Sequence, residues 1–382
     1  MTATPSAPPV HAPRSVDAVR EVVRDAVATG TALRLLGAGT WPHGGAPVLA
    51  DAVLRLDGLS GVQAYEPGDL TITAGAGTTL AELDRATAAH GQWLALDPPA
   101  HADATLGATL ATAAWGPLAH GVGTPRDLVL GLDVVTGDGT LLRAGGRVVK
   151  NVAGFDLVRL WTGSRGTLGP IVAATMRLRA RPAHECTLAL RVEPVAALDA
   201  LARALRAPTL APMAVEFVHA RTAAALDLPA RDSVLVRLGG NATFVRAQRD
   251  AIARLAPAEE VPSRVWTSLA TLALDAPVVW RTSAPAARIA AAIHDTLAHP
   301  HVADGALVQA SLGRGTVRVH VPVVPDGGRA TLPRDEATRR VRLEAAPATW
   351  WREVPDPFDT PLARRVRTAF DPHGRCNARA HG

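Results

Sequence analysis

Cysteine is nearly missing from this chain: only Cys186 and Cys376 occur in 382 residues, far apart and outside any metal-ligand or redox spacing. Two thiols cannot hold an iron–sulfur cluster, which takes about four, so this chain holds none alone. Lysine and asparagine are almost as rare. Of 40 basic residues only Lys150 is a lysine, and Asn151, Asn241 and Asn377 are the only asparagines. Their codons are A-rich, so both shortages fit a GC-rich coding sequence. The isoelectric point near 10.3 therefore reflects arginine, because the formal charge is only +5. With no basic patch interleaved with aromatics, nucleic-acid binding is excluded as a reading. Long apolar runs are missing too. The nearest, from Leu106 to Leu118, is rich in Gly, Ala and Thr and falls short of the roughly 20 residues of a membrane span. Residues 1–14 contain no apolar core for a signal peptide and read as a disordered leader, which places the protein in the cytoplasm.

What is present suggests a globular enzyme of two domains at about 150 residues each, with 48% hydrophobic and 20% charged residues. Apolar positions at 16, 19, 22, 23 and 27 predict a helix over 16–29, capped by Ser15. Short strands are expected at 32–36, 52–56, 61–65, 71–74, 133–136, 140–144 and 171–179. Thr78 or Thr79 should cap a helix over 80–90, with Glu82 in its first turn. Thr136-Gly137-Asp138-Gly139 is a hairpin signal. Beyond Pro182, strand-like runs alternate with amphipathic helices, which suggests a sheet with helices on one face, as in ferredoxin-like folds. A Pro- and Arg-rich link over 323–340 precedes a final segment that includes residues 369–374.

Glycine is clustered rather than spread, at Gly37/Gly39/Gly44/Gly45, Gly75/Gly77, Gly116/Gly121/Gly123 and Gly163/Gly166/Gly169. Any one cluster reads as a turn. Four at strand ends within one domain suggest a cradle that offers backbone N–H groups to the phosphates of a nucleotide. A Rossmann fingerprint is absent, because Gly37-Ala38-Gly39 runs into Thr40-Trp41-Pro42 where another glycine and a helix are needed.

The run Gly145-Gly146-Arg147-Val148-Val149-Lys150-Asn151-Val152-Ala153-Gly154-Phe155-Asp156, followed by Gly163-Ser164-Arg165-Gly166-Thr167-Leu168-Gly169, narrows the field. It closely resembles the FAD-binding subunits of glycolate oxidases, within the vanillyl-alcohol-oxidase/PCMH-type flavoprotein superfamily. Asp97-Pro98-Pro99, Thr105-Leu106-Gly107, Gly116-Pro117, Gly123 to Gly131 and Phe370-Asp371-Pro372-His373-Gly374 match as well. The resemblance implies an α+β chain: a PCMH-type, two-subdomain FAD-binding domain over 15–181, a ferredoxin-like α+β cap over 182–345, and a C-terminal segment, 346–382, that returns to the FAD domain. It implies non-covalent FAD; His43 is the only histidine near the first glycine loop that could be a covalent link.

By that resemblance the amides of Gly37, Ala38, Gly39 and Thr40 hold the pyrophosphate, and Leu36 and Trp41 beside them bind the cofactor. Pro99, Thr105, Leu106, Gly107, Thr109 and Thr112 lie along the dinucleotide. Gly116, His120 and Gly121 form a loop near the flavin, and Gly163, Gly166, Thr167, Leu168, Gly169 and Ile171 complete the cradle. Lys150 and Asn151 are candidates for flavin contact or loop geometry, whereas Asp156 and Arg159 suit a local salt bridge. A 2-hydroxy acid needs a cation for its carboxylate and a base for its hydroxyl. Arg281, Arg314, Arg318 and His320 are the candidate catalytic residues, with His320 sharing a strand face with Arg318. His299 and His301 lack a carboxylate at metal spacing and read as surface residues, so no metal is expected.

Two departures from the family pattern stand out. Ala108 replaces a glycine beside the cofactor, and the closing motif runs Asn377-Ala378-Arg379 instead of Asn-Pro-Gly. The expected function is the FAD-binding subunit of a glycolate (2-hydroxy acid) oxidase. Its partners would be a larger catalytic flavoprotein subunit and an iron–sulfur subunit, peripheral to the inner face of the plasma membrane. A self-sufficient FAD-dependent 2-hydroxy acid dehydrogenase and a non-catalytic assembly subunit remain open.

Overall fold

The computed structural model describes residues 7–41, 45–48, 50–100, 102–146, 156–193, 197–303, 305–324, 332–333, 340–354 and 360–377. Lys150, Asn151 and His43 lie outside the described residues. The chain begins with a parallel sheet in the order β1-β3-β2, built from β1 (Val10–His11), β2 (Leu33–Leu36) and β3 (Ala52–Arg55). The helix Val16–Thr29 backs it. Ser15 accepts the Ala18 amide at its start, and Gly30 ends it at φ +75°, a left-handed conformation that glycine adopts without strain. Val19, Val23 and Ala26 of this helix join Leu33 and Leu54 in one core.

Seven more strands follow: β4 (Val62–Glu66), β5 (Thr71–Gly75), β6 (Gln92–Trp93), β7 (Val129–Val135), β8 (Leu141–Gly145), β9 (Ile171–Arg177) and β10 (Arg179–Ala180). Five of them make an antiparallel sheet, β4-β5-β9-β7-β8, while β6 pairs with β10. Its core takes Leu80 and Leu83 from the helix Leu80–Ala88, Leu106 and Leu110 from the helix Leu106–Thr112, and Trp161. Thr79 and Glu82 form a capping box: each side chain accepts the other's backbone N–H, at 3.1 and 2.7 Å. The hairpin signal sits between β7 and β8, with Gly139 at φ +80°.

The second domain is one antiparallel sheet of eight strands. In chain order these are β11 (His184–Arg191), β12 (Ala214–Val218), β13 (Ser233–Gly240), β14 (Ala258–Glu260), β15 (Val278–Ser283), β16 (Leu307–Ser311), β17 (Thr316–Val321) and β18 (Arg340–Ala345). Their spatial order is β14-β11-β13-β12-β16-β17-β15-β18. Leu188, Phe217, Val236 and Trp280 point to one face, packed against Leu201, Ile252 and Ile293 of covering helices and against Trp350.

The other face divides in two. Near β11 and β13 it presents Ala189 and Leu235, and these are covered by Val265, Trp266 and Leu269 of the helix Arg264–Asp275. Helices therefore lie on both faces, where one face was expected, because these two strands are apolar on both sides. Near β12, β16, β17 and β15 the same face is polar, with Glu216, Gln309, Ser311, Arg318, His320 and Arg281. That half lies against the first domain, whose segment Pro117–His120 packs on β12. His301, expected on the surface, is buried among Trp280, His299 and Trp350. The chain turns back through the apolar layer at this point, so its ring becomes core.

The chain ends on the first domain. Phe370 meets Trp161 edge to face at 4.6 Å, and its carbonyl accepts the Gly137 amide at 2.8 Å. Residues 375–377 then lie parallel to β2: the Leu33 amide donates to Arg375 and the Asn377 amide donates to Leu33.

Two acids sit at the joint between the domains. Burial pushes Asp97 up to about 7 against the pull of the Leu118 amide, which donates to it at 2.9 Å. Burial, joined by the charge of Asp97, pushes Glu216 up to about 8 against the pull of Arg318. The folded protein thus holds a proton on Glu216 that the unfolded chain releases above about pH 4.5. Stability from this source is full below that pH and is lost as pH rises toward 8, by on the order of a few kcal/mol. Glu216→Gln is expected to flatten that decline, so thermal melts at pH 5 and pH 8.5 should differ less in the variant than in the parent.

Candidate functional site

A cleft of about 780 Å³ separates the first domain from the polar half of the second sheet. One wall is the loop that leaves β2. The amides from Gly37 to Trp41 donate to no acceptor among the described residues. Gly39 holds φ +74°, and a Cβ there would meet nothing within 4 Å, so the loop faces open cleft. Gly37 does the opposite job. A Cβ on it would stand 2.3 Å from Thr105 Oγ1 and 3.1 Å from the Ala108 methyl, so the bare backbone lets the loop press on the helix Leu106–Thr112. The extra methyl of Ala108 fits because Gly37 has none.

The floor is that helix, with Thr109 and Thr112 toward the cleft, and its Gly107 presses on Ala76, where a Cβ would come within 2.7 Å. The third side is the loop from Gly163 to Gly166. It is pinned to the helix by Gly163 N–H to Leu110 (2.9 Å) and Arg165 N–H to Ala111 (2.7 Å). Asn377 ties it to β2: its Oδ1 accepts the Leu35 amide and its Nδ2 donates to the Arg165 carbonyl, both at 2.8 Å.

The far end is built from arginine. Trp115 has the guanidinium groups of Arg281, Arg314 and Arg318 at 5.8, 5.9 and 5.7 Å from its ring, within cation–π range. Arg281 and Arg318 face each other across β15 and β17. Glu344 stands between them, with Oε2 2.6 Å from Arg318 Nε and Oε1 3.3 Å from Arg281 Nη1. It reaches them from a β-bulge: on β18, Ala345 opposes Val279 and Leu343 opposes Trp280, so Glu344 is the extra residue. Burial works against its charge, yet the two arginines hold the carboxyl down at about 2. Burial lowers Arg281, whose Nε–H is buried without an acceptor.

Most of the sequence-derived candidates come together in this cleft. Leu36 to Trp41, Pro99, Thr105, Gly107, Thr109 and Thr112 line it, as do Gly163, Gly166, Ile171, Arg281, Arg314 and Arg318. Leu106, Thr167, Leu168 and Gly169 stand behind the lining, and a Cβ on Gly169 would collide with the Val135 carbonyl at 2.0 Å. Gly116, His120 and Gly121 lie at the joint of the two domains instead. Gly116 presses on Asp97, His120 on Gly313, and the Gly121 amide donates to Met213. His320 is buried beside Arg318 and is pushed to about 3 by burial and by that guanidinium. Asp156 and Arg159 make the local ion pair, at 3.1 Å.

Several cleft residues were missed: Trp115, Arg165, Arg342, Glu344 and Asn377. The alternation Arg340-Val341-Arg342-Leu343-Glu344 is a period-2 strand signal that would have found β18, with Arg342 and Glu344 on one face.

Unclaimed amides opposite a glycine with no side chain suit a diphosphate, and the volume is that of a cofactor pocket (roughly 300–1,000 Å³). The residues therefore fit FAD. A two-domain α+β frame with such a cleft between the domains defines a flavin-dependent oxidoreductase. A family model described as "FAD binding domain" matches residues 7–145. Glycolate oxidase subunit GlcE of Escherichia coli (strain K12) is 32% identical over 274 residues, covering 70% of this chain and 73% of that protein. Glycolate oxidase subunit GlcD of Bacillus subtilis (strain 168) is 28% identical over 248 residues; the match covers 63% of this chain and 53% of that one. Among solved structures, 4-ethylphenol oxidase from Gulosibacter chungangensis shares the fold, with a TM-score of 0.71 at 16% identity over 96% of this chain and 88% of that one. The chain belongs to the glycolate oxidase FAD-binding subunit family of PCMH-type flavoproteins. FAD is its cofactor.

Gly39→Ala tests the cradle. The methyl meets no protein atom but forces a left-handed backbone, at about 1–2 kcal/mol. The variant should fold while binding FAD at least roughly tenfold more weakly, as one lost amide contact to a charged group implies. Quenching of flavin fluorescence on titration measures it.

Proposed function

We propose that this chain is the FAD-holding subunit of a multi-chain oxidase acting on small 2-hydroxy acids of the glycolate class. In this reading electrons leave through an iron–sulfur partner, and a larger flavoprotein subunit completes the complex. The observation that carries the proposal is the two-ended cleft, with unclaimed amides for a diphosphate at one end and guanidinium groups at the other. FAD, when bound, supplies the acceptor for the hydride that leaves the hydroxyl-bearing carbon. Arg314, which pairs with no carboxylate among the described residues, and the unsatisfied Nε–H of Arg281 suit the substrate carboxylate. Arg318 is committed to Glu344.

The hydroxyl proton is what makes partners part of the proposal. Among the described residues no histidine lines the cleft, and its carboxyls are those of Asp127 and Glu344. Hydrogen bonds from Thr124 lower the first, and Arg318 and Arg281 lower the second. His320 is also a poor acceptor at a value of about 3. Both cysteines are buried, which favours a cluster held elsewhere. No helix among the described residues is long and apolar enough to cross a membrane, so in this reading a cytoplasmic chain meets the inner face of the plasma membrane through its partners. The arginine cluster itself favours a second reading, a dehydrogenase that works alone.

The test uses glycolate and D-lactate with a dye acceptor. The isolated, FAD-loaded chain is expected to give no turnover and the assembled complex to give it. Arg281→Ala in the complex should raise KM by at least roughly tenfold. Turnover by the isolated chain would establish the self-sufficient dehydrogenase. Unchanged kinetics of the Arg281→Ala complex would make this a non-catalytic assembly subunit.

A further inference from the structure

Glu344 has two connections, one through its side chain and one through its backbone. Its side chain bridges Arg281 and Arg318, while its carbonyl accepts the Gly45 amide at 2.7 Å. Gly45 lines the cleft, and it adopts φ +85° with Arg165 Nη1 3.5 Å from where a Cβ would be. One bulged residue of the second domain therefore touches a cleft-lining glycine of the first domain with its backbone and the arginine cluster with its carboxylate. The bulge allows this, because the extra residue has no partner on β15 and its carbonyl takes the Gly45 amide instead. The carboxylate also sets what the arginines can do. Two facing guanidinium groups repel, and with Glu344 between them their remaining N–H groups are held at fixed places around Trp115.

We infer that Glu344 is a positioning residue that couples the Gly45 side of the cofactor cleft to the arginine cluster, so that FAD and a carboxylate ligand each strengthen the binding of the other. This rests on the hydroxy acid reading above. Linkage requires the effect to be equal in both directions. FAD seated against Gly45 holds that residue in place, and Gly45 holds the backbone that carries the clamp. An anion settled on Arg281 and Arg314 holds the same clamp from the opposite side. Glu344 acts through these groups rather than on the reacting atoms.

The test uses oxalate, an unreactive dicarboxylate, on the purified full-length chain. FAD dissociation constants are measured with and without oxalate, and oxalate is titrated against the visible spectrum of the bound flavin. In the parent protein, oxalate is expected to perturb the spectrum and tighten FAD roughly tenfold, a normal size for coupling between sites. In Glu344→Gln, FAD affinity should no longer respond to oxalate, and the spectral change should need roughly tenfold more of it. Glu344→Asp is too short to span both arginines and should recover only part of the coupling. Coupling retained at full size in Glu344→Gln overturns this inference alone. Failure of oxalate to act on the parent protein overturns the hydroxy acid reading with it. Should Glu344→Gln not fold, Arg281→Gln leaves the Arg318–Glu344 pair in place and must likewise lose the response to oxalate; if it keeps it, the inference fails.

Discussion

One carboxylate between two guanidinium groups makes the second domain able to close on the first. Arg281, Arg318 and Arg342 are neighbours across β15, β17 and β18, an arrangement that repels when turned inward. Charges taken out of water are tolerated when they are paired and hydrogen-bonded. Glu344 meets that condition for Arg318 and pairs with Arg281, and it remains ionised despite being buried itself. The cluster keeps a positive excess, but one concentrated on the cleft side around Trp115.

The first domain meets this surface with few charges of its own. Its contribution is backbone: glycines where a side chain would collide, and amides with no acceptor among the described residues. A loop built this way has little to hold it in shape, and the structure supplies supports from three distant places. Thr105 backs Gly37, Glu344 takes the Gly45 amide, and Asn377 joins β2 to the loop that carries Arg165. The walls of the cleft are thus shaped by contacts from residues distant in the chain, Thr105, Glu344 and Asn377.

Local signals in the sequence were legible because they are local physics. Ser15, Thr79 with Glu82, and the turn at Thr136 to Gly139 act within a few residues, and each appears where its chemistry places it. The glycine clusters pointed to a nucleotide cradle, and the family resemblance turned that into FAD. The polar half of the large sheet was hidden for the opposite reason. Alternating Arg318 and His320 look like the wet side of a strand, and only the packing of the two domains makes that side an interior. The bulge at Glu344 follows from no pattern of period two. His120 sits beside a loop glycine in sequence but against Gly313 in space, since the turn of Pro117–His120 directs it to the domain joint.

The pairing of residues 375–377 with β2 also fixes an order of events during synthesis. Leu33, Leu35 and the glycine loop emerge from the ribosome early, but the amides of Leu33 and Leu35 find their acceptors in Arg375 and Asn377. The Arg165 carbonyl waits for the same side chain. The finished cradle therefore comes into being only after Asn377 has been translated and has folded back, so an unfinished chain has no complete site on which to capture its flavin.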